Sequence, residues 1–244
     1  MDLEFSQLFH QSSKNGLKGH PAISKNENEW PSEWKTTYYK DYPRLPKIKL
    51  DGDPPSADFF ELIKKRRSRR DFTDKPIRRD ELSILLKYSC GNMQLRGDQY
   101  RRAQASGGAR FPIEVYPIVF RSSEDLEAGL YHYNVQEHGL DTLWKRPFQD
   151  SDIHQLFTYP WVKDAAIGIV LTAVFWRNQN KYGERGYRYI LLEAGHIGQN
   201  IYLASEALGL KCCALGGTRD ENLEKFIDID GIAESVVYGF ALGK

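Results

Sequence analysis

The order of elements legible along the chain (α, α, β, β, α, β, α, α, β) predicts an α+β fold with helices packed on a sheet. Two stretches carry most of that reading. Ala165 to Phe175 is a continuous apolar run of strand composition, which predicts a strand buried on both faces. From about Glu184 to Leu208 the residues Tyr187, Ile190, Leu191, Ala194, Ile197, Ile201, Ala204 and Leu208 recur at three- and four-residue spacing. That period predicts a long helix, with Gly209 as its stop.

The other elements follow in order. Residues 1–55 are rich in Ser, Lys, Asn, Pro and Trp. Trp30, Trp34, Tyr38, Tyr39 and Tyr42 are too many aromatics for a disordered tail. They predict an extended arm lying on a surface, a second subunit's being one candidate. The folded domain is expected over 56–244. Ser56 is placed to cap a helix with Phe59, Phe60 and Ile63 on its apolar face. Pro76 opens a second helix bearing Leu82, Leu85 and Leu86, ended by Gly91. Residues 92–111 read as a polar loop. Ile113 to Phe120 reads as a strand, and Pro117 inside it predicts an edge or a bulge. Gly129 to Tyr133 is another strand, with a turn at His138-Gly139, and a short helix covers Ser151 to Thr158. Gly186, Gly195 and Gly198 lie inside the long helix, where each costs about 1 kcal/mol relative to Ala. Close helix packing is the expected reason for Gly195 and Gly198. Cys212 to Thr218 reads as a loop, Glu221 to Ile227 as an acidic helix and Val236 to Leu242 as a last strand.

Composition narrows the function classes. The 244 residues carry 34 basic and 33 acidic side chains, a net charge of +1, which argues against a dedicated nucleic-acid binder. Cys90, Cys212 and Cys213 make neither a disulfide framework nor a C-x-x-C metal site. The N-terminus has no basic start followed by an apolar run, and no run is long enough to span a bilayer, so a cytoplasmic protein without membrane partners is expected. The six histidines show no metal-ligand spacing, so no metal is expected. No Walker loop, no G-x-G-x-x-G and no nucleophile elbow is present.

What remains is an anion site. R-R-S-R-R-D-F, Arg66 to Phe72, gathers four guanidiniums around one hydroxyl, and the guanidinium fork matches phosphate oxygens. Alone, such a run is more often a solvated basic turn. Ser106 in A-S-G-G is either a turn residue or a donor on a loop whose glycines admit a ligand. Gly216 and Gly217 offer backbone amides with no side chain in the way. A monophosphate with a planar ring system suits these parts.

R-R-S-x-R-x-F resembles the flavin-binding signature of the nitroreductase-like, FMN-dependent oxidoreductases. Arg101 to Pro112, Gly129 to Tyr133, Lys181 to Tyr189 and Glu193 to Asn200 resemble one branch, the SagB-type dehydrogenases of ribosomal peptide maturation. These blocks span about 56 to 244, and Phe9 to Lys14 is similar to that branch's N-terminal arm. The resemblance implies a nitroreductase-like fold, a central, mainly antiparallel sheet flanked by helices, in an intertwined homodimer with FMN at its interface. Carried over by motif, Arg66, Arg67, Ser68 and Arg70 contact the FMN phosphate and pyrimidine edge. Ser106 and Gly107 lie beside the flavin, Leu215, Gly216 and Gly217 near its N5 edge, and Lys244 reaches the phosphate. Ala105-Ser106 departs from the branch's Pro-Ser.

The resemblance makes Lys181-Tyr182 the catalytic pair of an azoline dehydrogenase, in which flavin N5 takes a hydride and a partly desolvated lysine takes a proton. Tyr182 orients the substrate or relays the proton. The expected partners are a second copy, a peptide-modifying enzyme complex and its precursor peptide. Two other readings stay open: a nitro or quinone reductase with NAD(P)H as reductant, and a non-catalytic scaffold of a biosynthetic complex.

Overall fold

In the computed structural model, which describes residues 5–14, 24, 26–96 and 99–244, the arm contributes helix α1 (Phe5–Ser12), a single turn α2 (Ser32–Lys35) and a short strand β1 (Lys47–Lys49). Helices α3 (Phe59–Lys65) and α4 (Arg79–Cys90) follow, then a hairpin of β2 (Asn92–Arg96) and β3 (Gln99–Arg102). Next come β4 (Ile113–Val119), β5 (Gly129–Asn134), β6 (Gly139–Lys145), α5 (Asp150–Leu156) and β7 (Ile167–Val174). The order closes with α6 (Trp176–Tyr182), α7 (Arg185–Ala207), β8 (Lys211–Leu215), α8 (Asp220–Ile227) and β9 (Glu234–Gly243).

Seven strands pair antiparallel in the order β1-β6-β5-β4-β7-β9-β8. β7 is central, between β4 and β9, and its side chains alternate between two cores. Ile167, Ile169, Leu171 and Ala173 join Leu82, Leu85 and Leu86 of α4 and Ile190, Ala194, Ile197 and Ile201 of α7. Val170 joins Ile153 and Leu156 of α5 and Leu223 and Ile227 of α8 on the opposite face. Coverage on both sides is why this strand shows no polar alternation. The architecture is the α+β one expected, an antiparallel sheet flanked by helices.

Several local expectations change. Pro117 sits in a central strand, paired with Ile169. The bonds Val174 N–H to Pro112 O and Phe120 N–H to Ala166 O put the even-numbered β4 residues in hydrogen-bonded pairs with β7. Pro117 therefore turns its missing donor toward β5, where the ladder covers only Ile118 and Val119. Asp58, not Ser56, caps α3, accepting from Glu61 N–H at 2.9 Å. The α3 face of Phe59, Phe60 and Ile63 is exposed rather than packed. The segment 92–111 contains the β2–β3 hairpin, and Lys211–Leu215 is strand rather than loop. Gly198 meets the sheet, not a helix: a Cβ there would lie 2.8 Å from Phe240 and 3.0 Å from Tyr238, whereas at Gly195 it would meet nothing within 4 Å.

Residues 26–50 of the arm lie on this chain's own domain. β1 pairs with β6, Lys40 Nζ lies 2.6 Å from both Tyr116 Oη and Glu234, and Asn134 donates to Asp41. Under that cover His132 is fully buried, with Nδ1 3.0 Å from Asp141 and Nε2 2.9 Å from Glu114. A carboxyl group faces each ring nitrogen, an arrangement that favours a proton on both. Burial pulls the His132 pKa down, but the two carboxylates outweigh burial and hold it above the ordinary value. Burial pushes Glu114 up, yet Arg177 and His132 bring it down to about 2.

Candidate active site

The arginine turn begins where α3 ends. Beyond Arg66 the chain runs along the β8 edge of the sheet, fixed by Arg69 N–H to Cys212 O at 2.9 Å and by Lys211 Nζ to Asp71 at 2.8 Å. Arg69 is spent internally, donating to both carboxylate oxygens of Glu206 at 2.5 and 3.3 Å. Arg66, Arg67 and Arg70 have no carboxylate partner among the described residues. Arg66 lies 5.1 Å above the Tyr202 ring and Arg70 5.6 Å above Trp161. Ser68 Oγ is 2.8 Å from Tyr202 Oη, which also accepts Ala214 N–H at 2.8 Å. Three guanidiniums without a carboxylate partner, flanking the Ser68 hydroxyl in the chain, are the kind of donor a monophosphate needs.

β8 leads from this turn into the glycine pair. Leu215 is buried in the α5–α8 core, so only its backbone is available to a ligand. A Cβ on Gly216 would meet nothing within 4 Å, so its bare backbone faces open space. Gly217 is closed in by Thr158, whose N–H and hydroxyl both donate to its carbonyl at 2.9 Å. Lys244 meets the end of the arginine segment through its backbone, its carbonyl accepting Thr73 N–H at 2.7 Å, while its amine pairs with Glu81 at 3.0 Å. Of these residues, Arg66, Arg67, Arg70 and the open backbone of Gly216 have the chemistry to meet a phosphate and a ring edge such as those of FMN, whereas Gly217 is closed in and the Lys244 amine is paired.

The second group of expected residues meets on the other side of α7. Gly107–Ala109 form a 3₁₀ turn, with Gly108 at φ +64°. A side chain on Gly108 would strike the Tyr182 hydroxyl, and Gly107 packs on the Tyr189 ring. Ser106 Oγ accepts Phe111 N–H at 2.9 Å and bonds the buried Glu193. Burial pushes that carboxyl up to about 7, against hydrogen bonds from Ser106 and Gln104. Thus Ser106, Gly107, Lys181 and Tyr182 come together.

Lys181 and Tyr182 end α6 and line a cavity of about 530 Å³ with Trp30, Trp34, Gly108 and, at its rim, Glu27. Lys181 is 8% exposed, and its Nζ lies 3.5 Å from the centre of the Trp30 ring and 5.6 Å from that of Trp34. Among the described residues it has no hydrogen-bond or ion-pair partner. Burial lowers its pKa, Arg110 lowers it further, and Glu27 opposes them.

At about 100° per residue the two groups occupy different stripes of α7. Tyr189, Glu193 and His196 touch the Ser106 loop, while Tyr202 and Glu206 hold the arginine turn. Leu192 and Gln199, both exposed, lie between, and the exposed Gly195 lies on the stripe of Tyr202 and Glu206. Sequence reasoning did not assign Tyr202, Trp161 or Arg110 to the site and treated Trp30 and Trp34 only as arm aromatics. Arg110 had a signal in the R-R-A-Q-A-S-G-G-A-R-F-P block; the others gain their roles only through long-range contacts.

The fold, an antiparallel sheet flanked by helices, is of nitroreductase-like architecture. The chain belongs to the Nitroreductase family, whose model matches residues 63–244. It is 28% identical to the nitroreductase-family protein MJ1384 of Methanocaldococcus jannaschii, over 77% of this chain and 88% of that one. It is 31% identical to the trifolitoxin-processing protein TfxB of Rhizobium leguminosarum bv. trifolii, over 67% of this chain and only 46% of that protein. Among solved structures, the Escherichia coli microcin synthetase McbBCD complex with truncated pro-MccB17 bound contains a chain of similar fold. The TM-score is 0.61 at 20% identity, covering 100% of this chain and 83% of that one. A nitroreductase-like protein of Desulfovibrio desulfuricans, solved in complex with FMN, matches with a TM-score of 0.54 at 17% identity, over 77% of this chain and 86% of that one. Among the described residues no helix is long and apolar enough to cross a membrane.

Proposed function

We propose that this protein is an FMN-dependent oxidoreductase that dehydrogenates an azoline ring, carried on a peptide, to an azole, and that it works as a homodimer beside other peptide-modifying enzymes. Arg66, Arg67, Ser68 and Arg70 hold the FMN phosphate and pyrimidine edge; Lys244, whose amine pairs with Glu81, would have to leave that carboxylate to reach the phosphate. Ser106, Gly107, Leu215, Gly216 and Gly217 border the ring. FMN, when bound, supplies a two-electron acceptor at N5 for the hydride leaving one ring carbon. Lys181 Nζ takes the proton from the neighbouring carbon. That C–H bond breaks, its electron pair becomes the new ring double bond, and an N–H bond forms on the lysine. Tyr182 orients the ring.

The observation that carries this reading is the Lys181 amine. It is buried and held by π faces instead of a carboxylate, and burial together with Arg110 lowers its pKa from the ordinary lysine value, the direction a general base needs. The named roles of TfxB and of the McbBCD complex support a peptide substrate and a multienzyme setting. The dimer is supported by the exposed Leu192 and Gly195 on α7, and by Phe59, Phe60 and Ile63 on α3. A second copy across α7 would set the arginine turn of one chain against the Lys181 cavity of the other.

Lys181→Ala tests the reading. The variant is expected to keep FMN and lose azoline oxidation by about 100-fold or more, the scale of a lost general base. Unchanged turnover would refute it and favour the scaffold role. The match to MJ1384 favours a second reading, an NAD(P)H-dependent nitro or quinone reductase. In that case NADPH bleaches the flavin rapidly in air-free buffer and a nitroaromatic restores it.

A further inference from the structure

Part of the wall of the Lys181 cavity comes from outside the stretch that the family shares, while Gly108, Ala109, Lys181 and Tyr182 lie within it. The Nitroreductase match starts at residue 63, whereas Glu27, Trp30 and Trp34 belong to the arm. The arm segment is not loosely laid there. Arg110, 2% exposed, donates to Glu33 O at 2.5 Å and Trp34 O at 2.7 Å while its Nε holds Arg177 O at 3.0 Å. Trp34 Nε1 donates to Asn180 O at 3.2 Å, one residue before Lys181, and Trp30 Nε1 to Ser24 O at 2.6 Å. One buried guanidinium thus ties α2 both to the turn that follows Ser106 and to α6.

This arrangement does two things to the amine. The indole faces exclude water from a four-carbon side chain that otherwise samples many rotamers. They also attract an ammonium, by about 0.5–2 kcal/mol, but unlike a carboxylate they bring no formal charge that would hold the proton on the amine. A carboxylate in the same place would fix the lysine as a permanent cation. The two indoles, edge to face with ring centres 6.3 Å apart, also give the cavity apolar walls against which a small ring can pack, while the exposed Glu27 and Asn28 offer polar groups for a peptide main chain.

We infer that Trp30 is a positioning residue for Lys181 and that Trp30 and Trp34 together determine specificity, selecting a planar five-membered ring carried on a peptide. The inference rests on the proposed azoline chemistry for its substrate, but its effect on the lysine stands independently. It assigns selectivity to the arm and the redox machinery to the shared domain.

The test is competitive acetylation of Lys181 across pH, read by mass spectrometry on the FMN-loaded full chain, beside single-turnover oxidation of an azoline peptide. In Trp30→Ala water enters, and the labelling midpoint is expected to rise by about one pH unit or more. The pH profile of turnover should move with it, and KM should rise about tenfold, which loss of fold elsewhere would not produce. Trp30→Phe restores the midpoint. Trp30→Gln, which fills more of the space than alanine but admits water, serves if the alanine variant does not fold. A midpoint and pH profile identical to the parent chain in Trp30→Ala and Trp30→Gln would overturn the inference while leaving the azoline reading in place. A shifted midpoint in a protein without azoline turnover would retain the positioning role and overturn the substrate.

Discussion

Glu193 is 1% exposed, and burial raises its carboxyl to about 7. The unfolded chain releases that proton near the ordinary carboxyl value of about 4.3. Between those values the native state holds a proton the unfolded state has lost, so this group's contribution to stability falls as pH rises through the window. Glu193→Gln removes the titration while keeping an amide for Ser106 and Gln104. At pH 8 the variant should exceed the parent by roughly 1–3 kcal/mol in denaturant melts, and the two should converge near pH 4. Parallel curves at both pH values would refute this. At this scale the motifs named candidate groups. The cluster R-R-S-R-R-D-F pointed to an anion site, and in the structure three of its four arginines lack a carboxylate while Arg69 takes Glu206. Which arginine would be spent internally was not legible, because it depends on Glu206 arriving from the far end of α7.

Period and length made some elements easy to read and concealed others. α7 and β7 appear almost where the apolar pattern placed them, because one buries a stripe and the other both faces. α6 was missed because W-R-N-Q-N-K-Y has no apolar period; it is held by Gly186, whose backbone packs on Gln179. β8 was read as loop because five residues between glycines carry little pattern, and its identity comes from pairing with β9. The helix glycines separate by environment. Gly198→Ala drives a methyl into Phe240 and Tyr238 and is expected to cost about 1–3 kcal/mol. Gly195→Ala enters open space and should gain up to about 1 kcal/mol of helix propensity in the dilute monomer. Thermal melts of the two variants check this, and equal melting temperatures would contradict it.

Across the whole molecule, one helix organises the chemistry. α7 seals the larger core with one stripe, carries the Ser106 loop and the Lys181 neighbourhood on a second, and anchors the arginine turn on a third. The fold class was legible because buried strands and amphipathic helices leave periodic marks. The joining of arm to cavity was not, because Arg110 contacts main-chain carbonyls that no side-chain pattern reveals. The claim beneath the functional reading is that the guanidiniums left without carboxylates hold the flavin phosphate. Titrating the purified flavin-free protein with FMN, followed by flavin fluorescence, tests it most directly. The parent chain should saturate with one flavin for every chain. Arg66→Ala/Arg70→Ala should bind about 100-fold more weakly or worse, the loss of two charge-assisted contacts. A double variant that binds FMN as tightly as the parent would contradict the account.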